Sequence, residues 1–343
     1  MTAKSAVRLG LGVALAAVFT WLLLRQLDLS QVIDAFKEAT GRWVVAALAA
    51  FFLGYLCRIA RWHAMLSGSV PGLRLRTCVG PFLASFAANN VLPFRAGDVM
   101  RMFAFNRVLG TTSGVVAATL FVERLLDLLL VVMLFAAALN VFDIGPSVVS
   151  GLGSAALFAG AAVLLLVLLF PRTFAPAARW AGRLASRMAP RIGARLSEEI
   201  AKGLATLEQL AKGHVMLKLL GWSALAWMFE GGVFWFAALA LPSITEPQGA
   251  WLALPVATFA TLIPSTPGYV GTFDDFTAWA MIQLGNTPSA AAAAAFLVHM
   301  LLWLPPTVVG GAYLLSHPVR GLAAASSLPR GERDASHDKS GPA

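Results

Sequence analysis

The residues of this chain most able to do chemistry stand where ionisable groups are costly. Glu123, Arg124 and Asp127 lie about ten residues inside an apolar stretch, 113–142. Glu230 is equally stranded in 216–241, beside Trp227 and Gly231-Gly232. A charge at the centre of a bilayer costs at least roughly 2.5–3.5 kcal/mol, and those that persist usually have a partner and a task. Arg124 and Asp127, three apart on a helix, can pair on one face. Glu123 and Asp127, four apart, repel, so one of them needs another cation or a proton.

Two more groups flank breaks in apolar stretches. Arg95, Gly97, Asp98 and Arg101 follow Pro93, and Asp274 and Asp275 follow Pro264, Pro267, Gly268 and Gly271. Guanidinium matches phosphate in a bidentate way. Arg95 and Arg101 at the mouth of a cavity with carboxylates within would suit a lipid phosphate headgroup, its tails left in the bilayer. Plainer readings stand beside this one. Glu123, Arg124 and Asp127 tie helices together in one, and Asp98 and Asp274 cap helix starts in another. Arg58, Arg61 and Trp62 read first as an interface anchor and second as a headgroup contact.

The elements that must position these groups are set by composition. Hydrophobic residues make up 58 % of the 343 and charged residues 13 %, with a mean hydropathy of +0.75. A soluble domain carries about 25 % charged residues. The spacing predicts an all-α polytopic membrane protein. A bilayer core needs about 20 apolar residues of helix, and stretches near 8–25, 43–60, 113–142, 154–170, 216–241 and 289–315 supply them. Two others, 78–107 and 250–285, are interrupted by Pro and Gly, which remove a backbone donor and permit sharp turns. These read as re-entrant helical hairpins, with ordinary kinked spans as the alternative.

Charge distribution fits six spans and two hairpins. Basic residues gather in 1–8, 58–76, 95–107, 172–218 and the tail; 172–218 holds nine Lys or Arg against three Glu. If only the six long stretches cross, every basic cluster is cytoplasmic, as the positive-inside rule requires. The net charge of +9 then belongs to topology and anionic lipid, not to nucleic acid. Each half, about 8–142 and 154–315, reads span, span, hairpin, span. Three crossings per half make the halves an inverted repeat, whose interrupted segments point to a transport site near the midplane. Residues 1–316 form the membrane domain, with both termini expected in the cytoplasm of a cell (inner) membrane. The basic segment 172–214, with Arg179, Arg183, Arg187, Arg191 and Arg195 in a ladder, lies either on anionic headgroups or free as a solvated helix. Residues 317–343 are expected to be disordered. The first span, after Lys4 and Arg8, lacks a small-x-small cleavage site and reads as uncleaved.

Other motifs fail. Gly151 to Ala156 matches GxGxxA without a preceding strand. The five His lack metal-ligand spacing, and Cys57 and Cys78 form no CxxC. No cofactor, metal or catalytic centre is expected. An intramembrane enzyme using Glu123 or Asp127 is the least favoured reading, and any energy source is an ion or proton gradient or downhill lipid flow.

At these residues the chain resembles the lysylphosphatidylglycerol synthase transmembrane-region family of flippase-like membrane proteins. The stretches are Arg58-Ile59-Ala60-Arg61-Trp62, Asn89-Asn90-Val91-Leu92-Pro93-Phe94-Arg95-Ala96-Gly97-Asp98, Glu123-Arg124-Leu125-Leu126-Asp127, and Pro264-Ser265-Thr266-Pro267-Gly268-Tyr269-Val270-Gly271. They cover about residues 8–315 in order. Asp274 approximates an acidic residue that the family carries after the last motif. The resemblance implies a multi-pass inner-membrane fold with two re-entrant elements and a role in moving or handling lipids. Only a short tail follows Leu315, so neither aminoacyl transfer nor tRNA binding is implied. The expected function is translocation of a phosphate-bearing or modified lipid. The alternative is a non-catalytic partner of a lipid- or glycan-synthesising enzyme, docked through 172–214. Arg95→Ala and Glu123→Gln are expected to abolish function at normal membrane levels.

Overall fold

A computed structural model describes residues 34, 37–92, 95–142, 147–174, 176, 180, 190–262 and 267–317. The expected first span, the Arg179, Arg183, Arg187, Arg191 and Arg195 side chains, Pro93, Pro264 and the tail beyond His317 lie outside the described parts. Among the described residues all regular structure is helical. Eleven α-helices follow in order: α1 Gly41–Ser67, α2 Leu75–Val91, α3 Ala96–Ala104, α4 Asn106–Leu109, α5 Ser113–Val141 and α6 Ser147–Leu169. Then come α7 Pro190–Leu210, α8 Gly213–Ala240, α9 Gly249–Ala260, α10 Thr272–Gln283 and α11 Pro288–Ser316.

Three of these, α1, α8 and α11, are long and apolar enough to cross a membrane. Helix α5, at 29 residues, is as long as α11, about 44 Å at 1.5 Å per residue. It carries the three charges that drew attention first. The two interrupted stretches are hairpins. Helix α2 packs on α3, and α9 on α10. The arms α9 and α10 have 12 residues each, about 18 Å, against roughly 30 Å of hydrocarbon.

Local chemistry sets the corners. Thr287 Oγ1 accepts the Ala290 N–H at 3.4 Å and Pro288 opens α11, the arrangement a helix start favours. Pro190 is the first described residue of α7. Asn286, buried at the base of the second hairpin, accepts the Thr245 and Glu246 amides at 3.1 and 3.0 Å. Its Nδ2 donates to the Met281 carbonyl at 3.0 Å. The first hairpin closes on Gly97, where a Cβ would overlap the Ser85 carbonyl oxygen of α2.

Among the described residues, four helices of the first half, α1, α2, α3 and α5, have counterparts in α8, α9, α10 and α11. Spans α1 and α8 are 27 and 28 residues long, and α5 and α11 both 29. Pro81 is the seventh residue of α2 and Pro255 the seventh of α9. Asp98 is the third of α3 and Asp274 the third of α10. Packing repeats the scheme. Helix α2 of the first hairpin lies on α11, the last span of the other half, and α9 of the second hairpin lies on α5. Helix α1 packs extensively on its counterpart α8. Exchanging the halves leaves this contact pattern in place, which is the signature of a pseudo-twofold axis between α1 and α8.

Candidate functional site

The stranded charges all have partners, drawn from other elements. Arg58 Nη2 meets Glu230 Oε2 at 2.5 Å. Each is the eighteenth residue of its helix, so the pair joins equivalent positions across the axis between α1 and α8. Arg61 grips Asp127 with two nitrogens, at 2.7 and 3.3 Å, and donates to Ser223 Oγ at 2.9 Å. Trp227 Nε1 donates to the same carboxylate at 3.3 Å. Arg124 binds both oxygens of Asp98, at 2.9 and 2.8 Å; its expected partner Asp127 is 4.0 Å away. Glu123 finds its cation in Arg101, at 2.6 Å. That guanidinium also lies over the Trp62 and Phe82 rings, 4.6 and 4.9 Å from their centroids.

Two sequence readings change here. Arg58, Arg61 and Trp62 are 8 %, 1 % and 0 % exposed, packed inside the bundle and not presented on its surface as an anchor. The carboxylates of α5 and α8 draw the guanidinium groups inward, because a buried acid needs a cation more than an arginine needs a headgroup. Asp98 does not cap the start of α3. Its carboxylate is held by Arg124 and by Asn89 Nδ2 at 3.0 Å, while the Asp98 N–H donates to Asn89 Oδ1 at 3.2 Å. Asp274 does cap α10, accepting the Gly271 N–H at 3.0 Å.

Both hairpin tips reach the same place. Asn90, at the end of α2, donates through Nδ2 to the Trp303 carbonyl at 3.1 Å and to Thr307 Oγ1 at 2.8 Å. Trp303 Nε1 returns a bond to the Asn90 carbonyl at 3.4 Å. Gly268, in the second tip, is close enough that a Cβ would press on that same carbonyl oxygen. His299 of α11 holds this tip, with Nε2 3.0 Å from the Gly268 carbonyl and Nδ1 2.8 Å from Asp274 Oδ1. Among the described residues, the non-glycine residues with positive φ are Arg95 (52°) and Tyr269 (61°), one in each tip. Such conformations cost of order 1–3 kcal/mol and gather at functional sites.

The tips and four spans enclose a cavity of about 520 Å³. Its walls are Tyr55 and Arg58 of α1, Phe86 and Asn90 of α2, and Arg95 at the first tip. Opposite stand Phe121, Arg124 and Asp127 of α5, Trp227 and Glu230 of α8, Phe259, Gly268 and Tyr269 of the second hairpin, and His299 and Trp303 of α11. Three guanidinium groups and two carboxylates face it. Arg58 is matched by Glu230, Asp127 by Arg61 and Arg124 by Asp98. Among the described residues Arg95 makes no ion pair of its own; the acid within its electrostatic reach, Asp98, is bound by Arg124. Among the described residues, Arg95 is thus the cavity-lining guanidinium without an ion pair, and it sits on a strained hairpin tip.

Of the candidates from sequence, Arg58, Asn90, Arg95, Arg124, Asp127, Glu230 and Gly268 line this cavity. Arg61, Asn89, Asp98, Gly271 and Asp274 stand behind it, each bonded to a lining residue or to its partner. Arg101 and Glu123 do not line it. Pro267 begins the 3-10 turn Pro267–Tyr269. Asp275 is exposed. No group of three or more His, Cys, Asp or Glu among the described residues is placed to hold a metal ion.

Sequence reading passed over His299, Trp303, Ser223 and Thr307. The first had a findable signal. Arg124 is the twelfth residue of α5 and His299 the twelfth of α11, and each binds the third-position aspartate of the preceding hairpin arm. Aligning the halves would have placed the histidine opposite the arginine.

Comparison with curated proteins and with solved structures finds no match. A family model does match, that of the lysylphosphatidylglycerol synthase TM region, over residues 9–310. That range takes in both hairpins, both tips and every wall of the cavity, and the chain belongs to this family of membrane proteins tied to lipid handling.

Proposed function

We propose that this protein is a lipid translocase of the cell inner membrane, without catalytic chemistry of its own, that passes an anionic, phosphate-bearing or modified lipid between leaflets. The observation that supports it best is the cavity between the two hairpin tips, with Arg95 as its unpaired cation. A phosphate headgroup supplies the missing partner, and guanidinium offers it two parallel N–H donors. The aromatic walls Phe86, Phe121, Trp227 and Phe259 tolerate glycerol and the first methylenes of the tails. With the hairpins dipping from opposite faces, the tips form a septum at mid-depth, and a headgroup crosses by exchanging one tip for the other. Both termini are then cytoplasmic.

The test is movement of fluorescent anionic and zwitterionic lipids in liposomes holding the purified full chain. Wild type moves the anionic lipid, and Arg95→Ala slows it by roughly tenfold or more, since one charge-assisted bond is worth about 1.5–3 kcal/mol. Absence of movement by wild type under any imposed gradient, or an unchanged rate in Arg95→Ala, overturns the reading.

The alternative of a docking partner for a biosynthetic enzyme rests on the basic segment. Helix α7 is packed on α5, and Glu199 accepts the Gly114 N–H at the start of α5. Deleting 180–212 would strip a packed helix and so does not separate the two readings. Charge reversal at exposed Arg172 does, because an adaptor fails and a translocase continues.

A further inference from the structure

The geometry points to a proton-binding site at His299 and Asp274, whose loading locks the second hairpin tip and couples proton movement to the lipid movement proposed above. It rests on donor and acceptor counting. The Gly268 carbonyl can only accept, so His299 Nε2, 3.0 Å away, must carry a hydrogen. His299 Nδ1 then faces Asp274 Oδ1 at 2.8 Å, a contact that needs one more proton between them. Either the imidazole holds it as a cation beside a carboxylate, or the carboxyl holds it and donates to a neutral imidazole. Both forms satisfy every atom, and both contain one dissociable proton. When that proton leaves for the water of the cavity, a single ring hydrogen serves two acceptors. Whichever bond it keeps, a lone pair on the ring opposes an oxygen on the other side, and the tip loses a tie. His299 and Asp274 are 6 % and 9 % exposed, so water does not readily replace the lost partner.

The repeat gives an independent argument. In the first half the third-position Asp98 is bound by Arg124, a permanent cation. In the second half the equivalent Asp274 is bound by a histidine, a side chain that can gain and lose a proton where an arginine cannot. One fold thus holds the same junction twice, once fixed and once titratable.

The surroundings set the direction of coupling. Helix α10 presents Asp274 to the ring, with Asp275 exposed beyond it, and α2 brings only uncharged Asn90 toward the tips. From α1 and α8 the shared cavity receives Tyr55, Arg58 and Glu230, from α5 Arg124 and Asp127, and from the tips Arg95 and Tyr269. An anion placed against Arg95 adds negative charge to the cavity and favours the loaded state. By linkage, the proton then favours the anion to the same degree. Lipid and proton bind cooperatively, the tip is locked at low pH, and it is released as pH rises.

Asp274→Asn separates the outcomes. Its amide donates to His299 Nδ1 and accepts the Gly271 N–H, so it copies the loaded state with no proton to lose. In phosphatidylglycerol-containing liposomes, an imposed proton gradient changes lipid movement by wild type, whereas Asp274→Asn, its tip tied at every pH, moves lipid far more slowly and with no response to the gradient. Movement by wild type that ignores the gradient overturns the proposal and leaves the translocase reading standing. A second measurement does not depend on transport. With Cys57 and Cys78 replaced by Ala, Leu262→Cys at the exposed shoulder of the tip is labelled by a soluble maleimide between about pH 5 and pH 9. Relative to the same protein carrying Asp274→Asn, which corrects for thiol ionisation, labelling accelerates roughly tenfold toward high pH, the factor one lost buried hydrogen bond imposes on local opening. Identical pH profiles in the two proteins refute the proton site, whether or not lipid moves.

Discussion

Glu123→Gln should unfold this protein more readily, and not merely silence it. The Arg101 and Glu123 side chains are 0 % and 1 % exposed and 2.6 Å apart. Removing the acid leaves a guanidinium with nowhere to go. Its Nε and Nη1 already lack partners, and its remaining support is the pair of aromatic faces of Trp62 and Phe82. Breaking a buried ion pair from one side costs about 3–5 kcal/mol, and a lone charge in a membrane at least roughly 2.5–3.5 kcal/mol. The rings and the Gln carbonyl survive the change, so the lower figure applies, about 3 kcal/mol. At roughly 2–4 °C per kcal/mol for a large chain, the midpoint of thermal unfolding in lipid nanodiscs falls by about 10 °C. Replacing both partners with apolar residues, Arg101→Met with Glu123→Leu, restores most of it, because apolar substitutes for a whole buried pair are near neutral. A Glu123→Gln protein with an unchanged midpoint and no lipid movement refutes the reasoning, since Glu123 would then act on substrate. A double variant as unstable as the single one refutes it too.

Three further outcomes follow from the same packing. Gly97→Ala forces a methyl onto the Ser85 carbonyl oxygen and should lower stability by about 1–3 kcal/mol, read in the same nanodisc melt. Asn90→Leu removes the donor to Trp303 and Thr307. It should cost about 1–3 kcal/mol and increase maleimide labelling of a cysteine introduced at Leu92, beside the first tip. Glu199→Gln weakens the anion at the start of α5 by about 0.3–1 kcal/mol, a loss that shrinks at high salt, while lipid movement continues.

What the sequence disclosed and what it withheld divide along a physical line. Spans and hairpins were readable because hydropathy and Pro/Gly interruptions act locally. Pro93 to Gly97 and Pro264 to Gly271 mark turns whatever surrounds them. Partner choice was not readable, because it depends on which helices touch. Arg124 and Asp127 are neighbours on one helix, yet Arg124 turns to Asp98 and Asp127 to Arg61, 66 residues away. The inward placement of Arg58 and Arg61 was hidden for the same reason. Arginines at the end of an apolar stretch suit an interface equally well until Glu230 and Asp127 are known to stand opposite. His299 was hidden because one histidine on an apolar helix carries no pattern of its own, and only the repeat gives it one.

The pairing pattern bears on why so many charges are kept in a membrane domain at all. Apolar residues could replace Arg101 and Glu123, or Arg58 and Glu230, at little cost in stability, so stability alone does not explain them. What neutral pairs provide is a polar frame with no net pull on a passing headgroup. Against that frame a single unmatched cation at the first tip and a single titratable junction at the second can each decide something. Were Arg95 matched by an acid, the cavity would offer phosphate no free guanidinium. Were His299 an arginine like its counterpart Arg124, the second tip would be tied at every pH. These two positions are among those at which the two halves differ, and a barrier that must open for one ligand and close behind it requires the halves to differ.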